Sequence, residues 1–271
     1  MKLQLSCSAS HTMLIWLVLF RGVAQLGSAR AWGARGPRFE SGHPDHCALL
    51  PNWPNRIQLE GDLSYNVLDP QKTALVFFDM LNAYVHTSKE QERITKPFVD
   101  NCQKVLSAAR SANVPVYYAR ADHRHDGKDS ANLYSDTGIS GEPWSDPEEK
   151  PFKPYLLVYA GDWSSEIIPE LQPRQDDYII AKHRWNAFFQ THLELSLRTR
   201  GIDTIILCGG ATEVGIASTA YCARDSDFNI VVVSDACRSG NQDNHEQFMN
   251  RIFPFMARVR TTDQVIAMVK G

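Results

Sequence analysis

No two cysteines of this chain stand in a CxxC pair or at the spacing of a metal site. The six, at positions 7, 47, 102, 208, 222 and 237, are scattered. A zinc ribbon and a dithiol redox motif are thereby excluded, and free thiols in a reducing cytosol are expected. Positive charge is also short: 28 Lys and Arg stand against 31 Asp and Glu, a net charge of −3, so no basic face advertises nucleic acid. What is present is ordinary for a globular protein. With 43% apolar and 22% charged residues over 271 positions, the chain can bury one large core. The expected setting is cytoplasmic, with no membrane and no nucleic acid partner.

The first fifty residues do not match this body. Lys2 followed by the apolar run Met13–Phe20 imitates a secretion signal. The stretch from Gln25 to Gly42 reads like a tRNA gene translated as protein. Gln25-Leu26-Gly27-Ser28-Ala29 back-translates to CAG-CTN-GGN-AGN-GC, similar to a D-arm. Arg38-Phe39-Glu40-Ser41-Gly42 gives CGG-TTC-GAR-TCC-GG, similar to a T-arm. The 14 codons from Gln25 to Phe39 are 42 nucleotides, close to the separation of those arms. Residues 1–56 are therefore expected to be a non-native leader from a start site placed too far upstream, with the native start between Cys47 and Val67. Residues 57–271 are the expected domain. A genuine export signal or a disordered leader is the alternative. Without residues 1–48, 23 basic and 29 acidic residues remain, a net −6.

From Thr73 onward, strand and helix patterns alternate. Thr73-Ala-Leu-Val-Phe-Phe-Asp79 is an unbroken apolar run ending on a carboxylate, the pattern of a strand buried on both faces. Val114–Arg120 (VPVYYAR), Asp177–Lys182 (DYIIAK), Thr204–Gly210 (TIILCGG), Asn229–Ser234 (NIVVVS) and Val259–Thr261 read as further strands. Glu92–Asn113 carries Ile94, Phe98, Cys102, Val105, Leu106 and Ala109 on one side and predicts a long amphipathic helix. Helices are also expected over Phe188–Arg200, closed by Gly201, and over Glu213–Asp225, His245–Met256 and Thr262–Lys270. The alternation implies a mainly parallel sheet of about six strands with helices on both faces. Right-handed crossovers bring the C-terminal end of every strand to one edge, where open α/β sheets bind ligands. Ala121–Gln172, with five prolines, Trp144 and Trp163, is less regular and reads as an insertion or lid beside that edge.

Three strand ends carry the candidate chemistry. Asp79 and Lys182 each close an apolar strand, where a charge is costly unless paired. Each alone reads equally well as half of a structural salt bridge; together at the ligand edge they favour a catalytic pair. The third end is Gly209-Gly210-Ala211-Thr212-Glu213-Val214-Gly215-Ile216-Ala217-Ser218-Thr219-Ala220. Its paired glycines permit a sharp turn that presents backbone N–H groups. Thr212 is expected to cap the following helix, Glu213 suits its first turn, and the helix N-terminus favours a developing negative charge.

With these pieces in place, TALVFFDMLNAY (73–84) and AKHRWNAFFQTHLELSLRTRGIDTIILCGGATEVGIASTA (181–220) resemble the isochorismatase-like hydrolase family, a branch of the cysteine hydrolase superfamily. The resemblance runs from Leu68 to Ile266. It implies a three-layer α/β/α sandwich with a Rossmann-like sheet, a small-molecule substrate, no cofactor, and a homodimer or homotetramer. It places the family's catalytic aspartate on Asp79 and its lysine on Lys182. It also implies a cis peptide between Gly210 and Ala211, and an oxyanion hole from the backbone N–H groups of Ala211 and Gly215.

The departure is at Gly215, where most relatives carry a nucleophilic cysteine that cleaves amides. Cys222 lies seven residues on, about 10 Å along a helix at 1.5 Å per residue, too far to inherit the role. Cys208 sits inside a strand, and Thr212 and Ser218 have ordinary capping or packing readings. True isochorismatases also resemble this chain in having glycine there, which implies hydrolysis of a vinyl ether without a covalent intermediate. Yet the glutamine those enzymes place two residues after the aspartate is Leu81 here, and the segment Ala119-Arg120-Ala121-Asp122 lacks their substrate-contacting glutamine. Isochorismate itself is therefore not the expected substrate. Tyr84, His123, Trp185 and Phe188 are expected as substrate-binding walls, with core packing the alternative for each. Arg120, His123 and Arg124 can receive a substrate carboxylate. The nicotinamidase branch binds metal near His123-Arg124-His125-Asp126, but alternating histidines in a polar segment read as a solvated loop, and no metal is expected. The leading expectation is a cysteine-independent hydrolase using Asp79 and Lys182. The alternatives are an amidohydrolase cleaving a C–N bond and a catalytically altered homologue that only binds a metabolite.

Overall fold

Every residue of β1 (Thr73–Phe78) is buried, and the remaining layers assemble around it. The computed structural model describes residues 66–129 and 158–270. The leader, Cys7, Cys47, Trp144 and the middle of the expected insertion lie outside the described residues. The other strands are β2 (Val116–Ala121), β3 (Tyr178–Lys182), β4 (Thr204–Gly210), β5 (Asn229–Arg238) and β6 (Arg258–Arg260). They form one sheet in the order β3-β2-β1-β4-β5-β6, and every pairing is parallel. The helices are α1 (Asn82–Val85), α2 (Lys89–Ser111), α3 (Leu193–Thr199), α4 (Ala217–Asp225), α5 (Gln242–Gln247) and α6 (Thr262–Lys270).

Strand alternation explains the three layers. Leu75 and Phe77 point to one face, where they join Val105 and Leu106 of α2 and Val265 and Met268 of α6. Ala74, Val76 and Phe78 point to the other, with Leu193 and Leu197 of α3 and Ala217 and Ala220 of α4. A strand covered on both sides needs apolar residues throughout, hence the unbroken run in the sequence. The α/β/α sandwich expected from the pattern is the fold observed. The chain steps from β1 outward to β2 and β3, then returns to the opposite side of β1 for β4. The reversal falls between the C-terminal ends of β1 and β4, the usual ligand position in such sheets.

Three expected helices are reshaped. The one expected over Phe188–Arg200 begins only at Leu193. Before it, Asn186 Oδ1 accepts from Phe188 N at 2.7 Å and Thr191 Oγ1 accepts from Leu193 N at 3.2 Å, so side chains take the amides a helix would use. The one expected from Glu213 opens as a single π-turn, Thr212–Ile216, before α4. The one expected over His245–Met256 starts earlier, where Asn241 Oδ1 accepts from Asp243 N and Asn244 N, and ends in π and 3-10 turns around Pro254. Described parts of the insertion run beside the sheet edge. Ile168 N donates to Met80 O, Asn82 N donates to Glu166 O, and His123 bridges to Tyr159. No helix among the described residues is long and apolar enough to cross a membrane.

Candidate active site

Asp79 leaves β1 with φ +48, a left-handed conformation that costs a non-glycine residue roughly 1–2 kcal/mol. Its backbone N–H still pairs with Ala119 O of β2 at 2.9 Å, and the turn aims its carboxylate across the end of β2. There Oδ1 accepts from Ala121 N at 2.9 Å and Oδ2 accepts from Lys182 Nζ at 2.8 Å. The Lys182 side chain is 4% exposed and that of Asp79 12%. Register explains the meeting: Ala121 pairs with Lys182, so the last residues of β2 and β3 present an amide and an ammonium side by side. Two of the carboxylate's roughly four lone-pair positions are thus used, leaving the others to hold or accept a proton.

The Lys182 ammonium also lies 4.2 Å from the centroid of the Phe78 ring. Phe78 was not legible as a site residue, being one apolar residue in an apolar run. Its position follows from a close approach of β1 and β4, in which Phe78 pairs with Gly209. Gly209 has φ +124, and a Cβ there would fall 2.1 Å from Phe78 O, so only glycine fits. The Phe78 ring then reaches over Gly215. A Cβ on Gly215 would lie 2.0 Å from Cε1, 2.4 Å from Cζ and 2.6 Å from Cδ1 of that ring.

The loop between β4 and α4 contains the cis peptide Gly210–Ala211. Ala211 O accepts from Val214 N and Ile216 N, at 3.2 Å each, which closes the turn holding Gly215. Thr212 does not cap this turn as expected. It is fully buried, and its Oγ1 lies 2.8 Å from His245 Nδ1 of α5, because the cap position falls on Ala211. Glu213 Oε1 accepts from Ser239 Oγ at 2.8 Å and Asn244 Nδ2 at 3.3 Å. The loop is therefore anchored from the segment joining β5 to α5, which spacing alone did not reveal. Burial pushes the His245 imidazole below its ordinary value, against the opposing pull of Ser234 O and Glu213.

The expected walls separate. Tyr84 is half-buried on α1, and Trp185 is exposed. Phe188 turns into the core, 5.6 Å from the Phe228 ring centroid, so its core-packing alternative is the one observed. His123 is buried at the end of β2, with Nδ1 3.5 Å from Asp129 Oδ1, and His183 Nε2 lies 3.5 Å from Asp129 Oδ2. Burial pushes His123 down, Asp129 opposes this, and His183 and Lys182 add to it. His183, next to Lys182 in sequence, is a site neighbour that sequence reading passed over. His125 instead stacks on Tyr159 in the open, and Arg124 pairs with Asp126. His123 and His125 thus have different neighbours, one buried beside Asp129 and the other exposed on Tyr159. Among the described residues no group of three or more His, Cys, Asp or Glu is placed to hold one.

Residues 73–264 match the Isochorismatase domain model. The chain belongs to the isochorismatase family. It is 32% identical over 203 residues to the isochorismatase family protein YwoC of Bacillus subtilis, covering 75% of this chain and 97% of that one. It is also 32% identical over 213 residues to the ureidoacrylate amidohydrolase RutB of Acinetobacter baylyi, covering 73% and 84%. Among solved structures, an isochorismatase family protein from Burkholderia thailandensis superimposes with a TM-score of 0.63 at 28% identity, covering 76% and 98%. The Asp79–Lys182 pair and the Gly209–Ile216 loop thus lie within an isochorismatase-like hydrolase domain.

Proposed function

We propose that this isochorismatase-family chain hydrolyses a small metabolite with water as the nucleophile, Asp79 moving the proton and Lys182 holding Asp79 in place. The observation that carries the reading is the buried Asp79–Lys182 pair, 2.8 Å apart, beside a residue 215 that has no side chain. Without a covalent nucleophile, the bond best matched to the pair is one whose cleavage begins with protonation, such as a vinyl ether. Asp79 delivers a proton to the enol-ether carbon, water adds to the resulting oxocarbenium carbon and returns a proton to the Asp79 carboxylate, and the hemiketal collapses to a carbonyl compound and an alcohol as its hydroxyl proton passes to the departing oxygen. In this reading the backbone N–H groups of Ala211 and Gly215 receive the oxygen that gains negative character in that collapse. Lys182, donating to Oδ2, stabilises the Asp79 carboxylate after the proton has left.

A second reading is favoured by the similarity to RutB, an amidohydrolase. In that case Asp79 takes a proton from water as it attacks an amide or carbamoyl carbon, the same turn receives the tetrahedral oxyanion, and Asp79 passes the proton to the leaving nitrogen as the C–N bond breaks. The test is a panel of vinyl ethers, amides and ureido compounds assayed with wild type and Asp79→Asn. Hydrolysis of at least one class that Asp79→Asn abolishes, and that survives thiol alkylation of the wild type, is expected. Activity that Asp79→Asn retains would sink both readings, and tight binding without turnover would leave a metabolite-binding homologue.

A further inference from the structure

The Phe78 ring occupies the volume into which any side chain at position 215 would project. Three of its atoms stand within 2.6 Å of where a Cβ on Gly215 would be, and Phe78 is only 2% exposed. Nor has the ring an easy way aside. Its backbone is held in the sheet between Ala119 and Gly209, with Gly209 in direct approach to the Phe78 carbonyl. One face is covered by the Lys182 ammonium, 4.2 Å from the centroid, and that ammonium is tied to Asp79. Moving the ring therefore means disturbing the Asp79–Lys182 pair.

We infer that Phe78 fixes the mechanism class of this site. Its ring replaces a nucleophile at position 215, and the same ring positions Lys182 against Asp79 through a cation–π contact. Glycine at 215 and phenylalanine at 78 are then one matched change. This rests on the reading that water is the nucleophile, and it adds the residue that imposes that choice. The chemistry on either side is distinct. With the ring present, no side chain projects from position 215 to form a covalent bond, and water is left to attack beside Asp79. With the ring cut back, a thiol at 215 has room beside an ammonium that stabilises its thiolate form. Phe78 is a positioning residue in this scheme, since it acts through Lys182 and through the space it fills.

Four full-length proteins test the pairing: wild type, Gly215→Cys, Phe78→Val, and Phe78→Val with Gly215→Cys. Each is treated with iodoacetamide in its folded state, and the peptide containing residue 215 is followed by mass spectrometry. The Gly215→Cys protein should melt below wild type, and its new thiol should alkylate about tenfold or more slowly than in the double variant. Adding Phe78→Val should raise its melting temperature. Should the cysteine variants not fold, Gly215→Ala is compared alone and with Phe78→Val, and the second substitution is expected to relieve the first. Strict additivity of the two, or a Gly215→Cys protein that melts like wild type and alkylates as fast as the double variant, overturns the inference. For Lys182, Phe78→Leu keeps apolar bulk but removes the aromatic face. It should shift the pH–rate profile, and Phe78→Tyr should restore it; a profile unmoved by Phe78→Leu removes the positioning role. Loss of wild-type activity on alkylation of its native cysteines would instead overturn the water-nucleophile reading and leave the 78–215 pairing standing, so the two failures are distinguishable.

Discussion

The Lys182 ammonium reaches across the end of an intervening strand to donate to Asp79 Oδ2, and does so almost wholly out of contact with water. The arrangement couples the stability of the domain to its chemistry. Two charges drawn from water at a sheet edge are tolerable together and costly apart.

Removing one partner should therefore cost more than removing both. Asp79→Ala leaves a buried ammonium unpaired and is expected to lose about 3–5 kcal/mol of unfolding free energy. Asp79→Ala with Lys182→Met should recover most of that loss while remaining inactive. Urea unfolding of the three proteins measures the effect, and equal losses for the single and double variants would contradict it.

Stability should fall on the acid side through two histidines. Burial holds the folded-state values of both His245 and His123 below the ordinary 6.5, so the unfolded chain binds more protons in the interval beneath 6.5. Their contribution is complete above 6.5 and is lost as pH falls through the unfolded value toward the folded ones. His86 works in the next interval up. Burial opposes its protonation, but its hydrogen bonds to Glu92 and Glu170 outweigh that and raise its value. Its contribution is complete below 6.5 and fades as pH rises through the raised value. His245→Gln should flatten the acid limb of a melting-temperature profile, and an unchanged slope would contradict the assignment.

Thiol chemistry should be confined to one site of the described domain. Burial pushes the thiols of Cys102, Cys208 and Cys237 upward, while Cys222 is half-exposed on α4. Iodoacetamide applied to the folded protein is expected to label Cys222 and spare the other three, with activity intact. Peptide mapping beside the assay checks both halves.

Gly209→Ala should be among the most damaging single substitutions. It combines φ +124 with a Cβ 2.1 Å from Phe78 O, a clash of backbone that no rotamer relieves. A loss of about 3 kcal/mol or more, or no soluble protein, is expected from strain and overpacking together. An unfolding midpoint close to wild type would show that β1 and β4 are not so tightly apposed.

Much of this was legible in the sequence because charge at the end of an apolar strand is a costly placement that stands out. Asp79 and Lys182 announce themselves in that way, and the alternating pattern around them yields the sandwich. Phe78 does not, because an aromatic residue within TALVFF looks like core until the Phe78–Gly209 register shows what its ring overlaps. His245 reads as one more residue of a helix, since its bond to Thr212 spans 33 positions. Phe188–Gln190 has apolar content suited to a helix, but Asn186 and Thr191 draw the backbone into turns first. The first two depend on contacts between distant segments, and the third on side chains competing for backbone amides; periodicity encodes neither.

The most direct measurement is the mass of the protein during turnover. With the vinyl ether or carbamoyl compound that is hydrolysed fastest, the reaction is quenched in acid during steady state and the intact chain is weighed. Water attack assisted by Asp79 and Lys182 predicts the unmodified mass at every time point. A transient increment equal to part of the substrate, localised to any side chain of the domain, would contradict it.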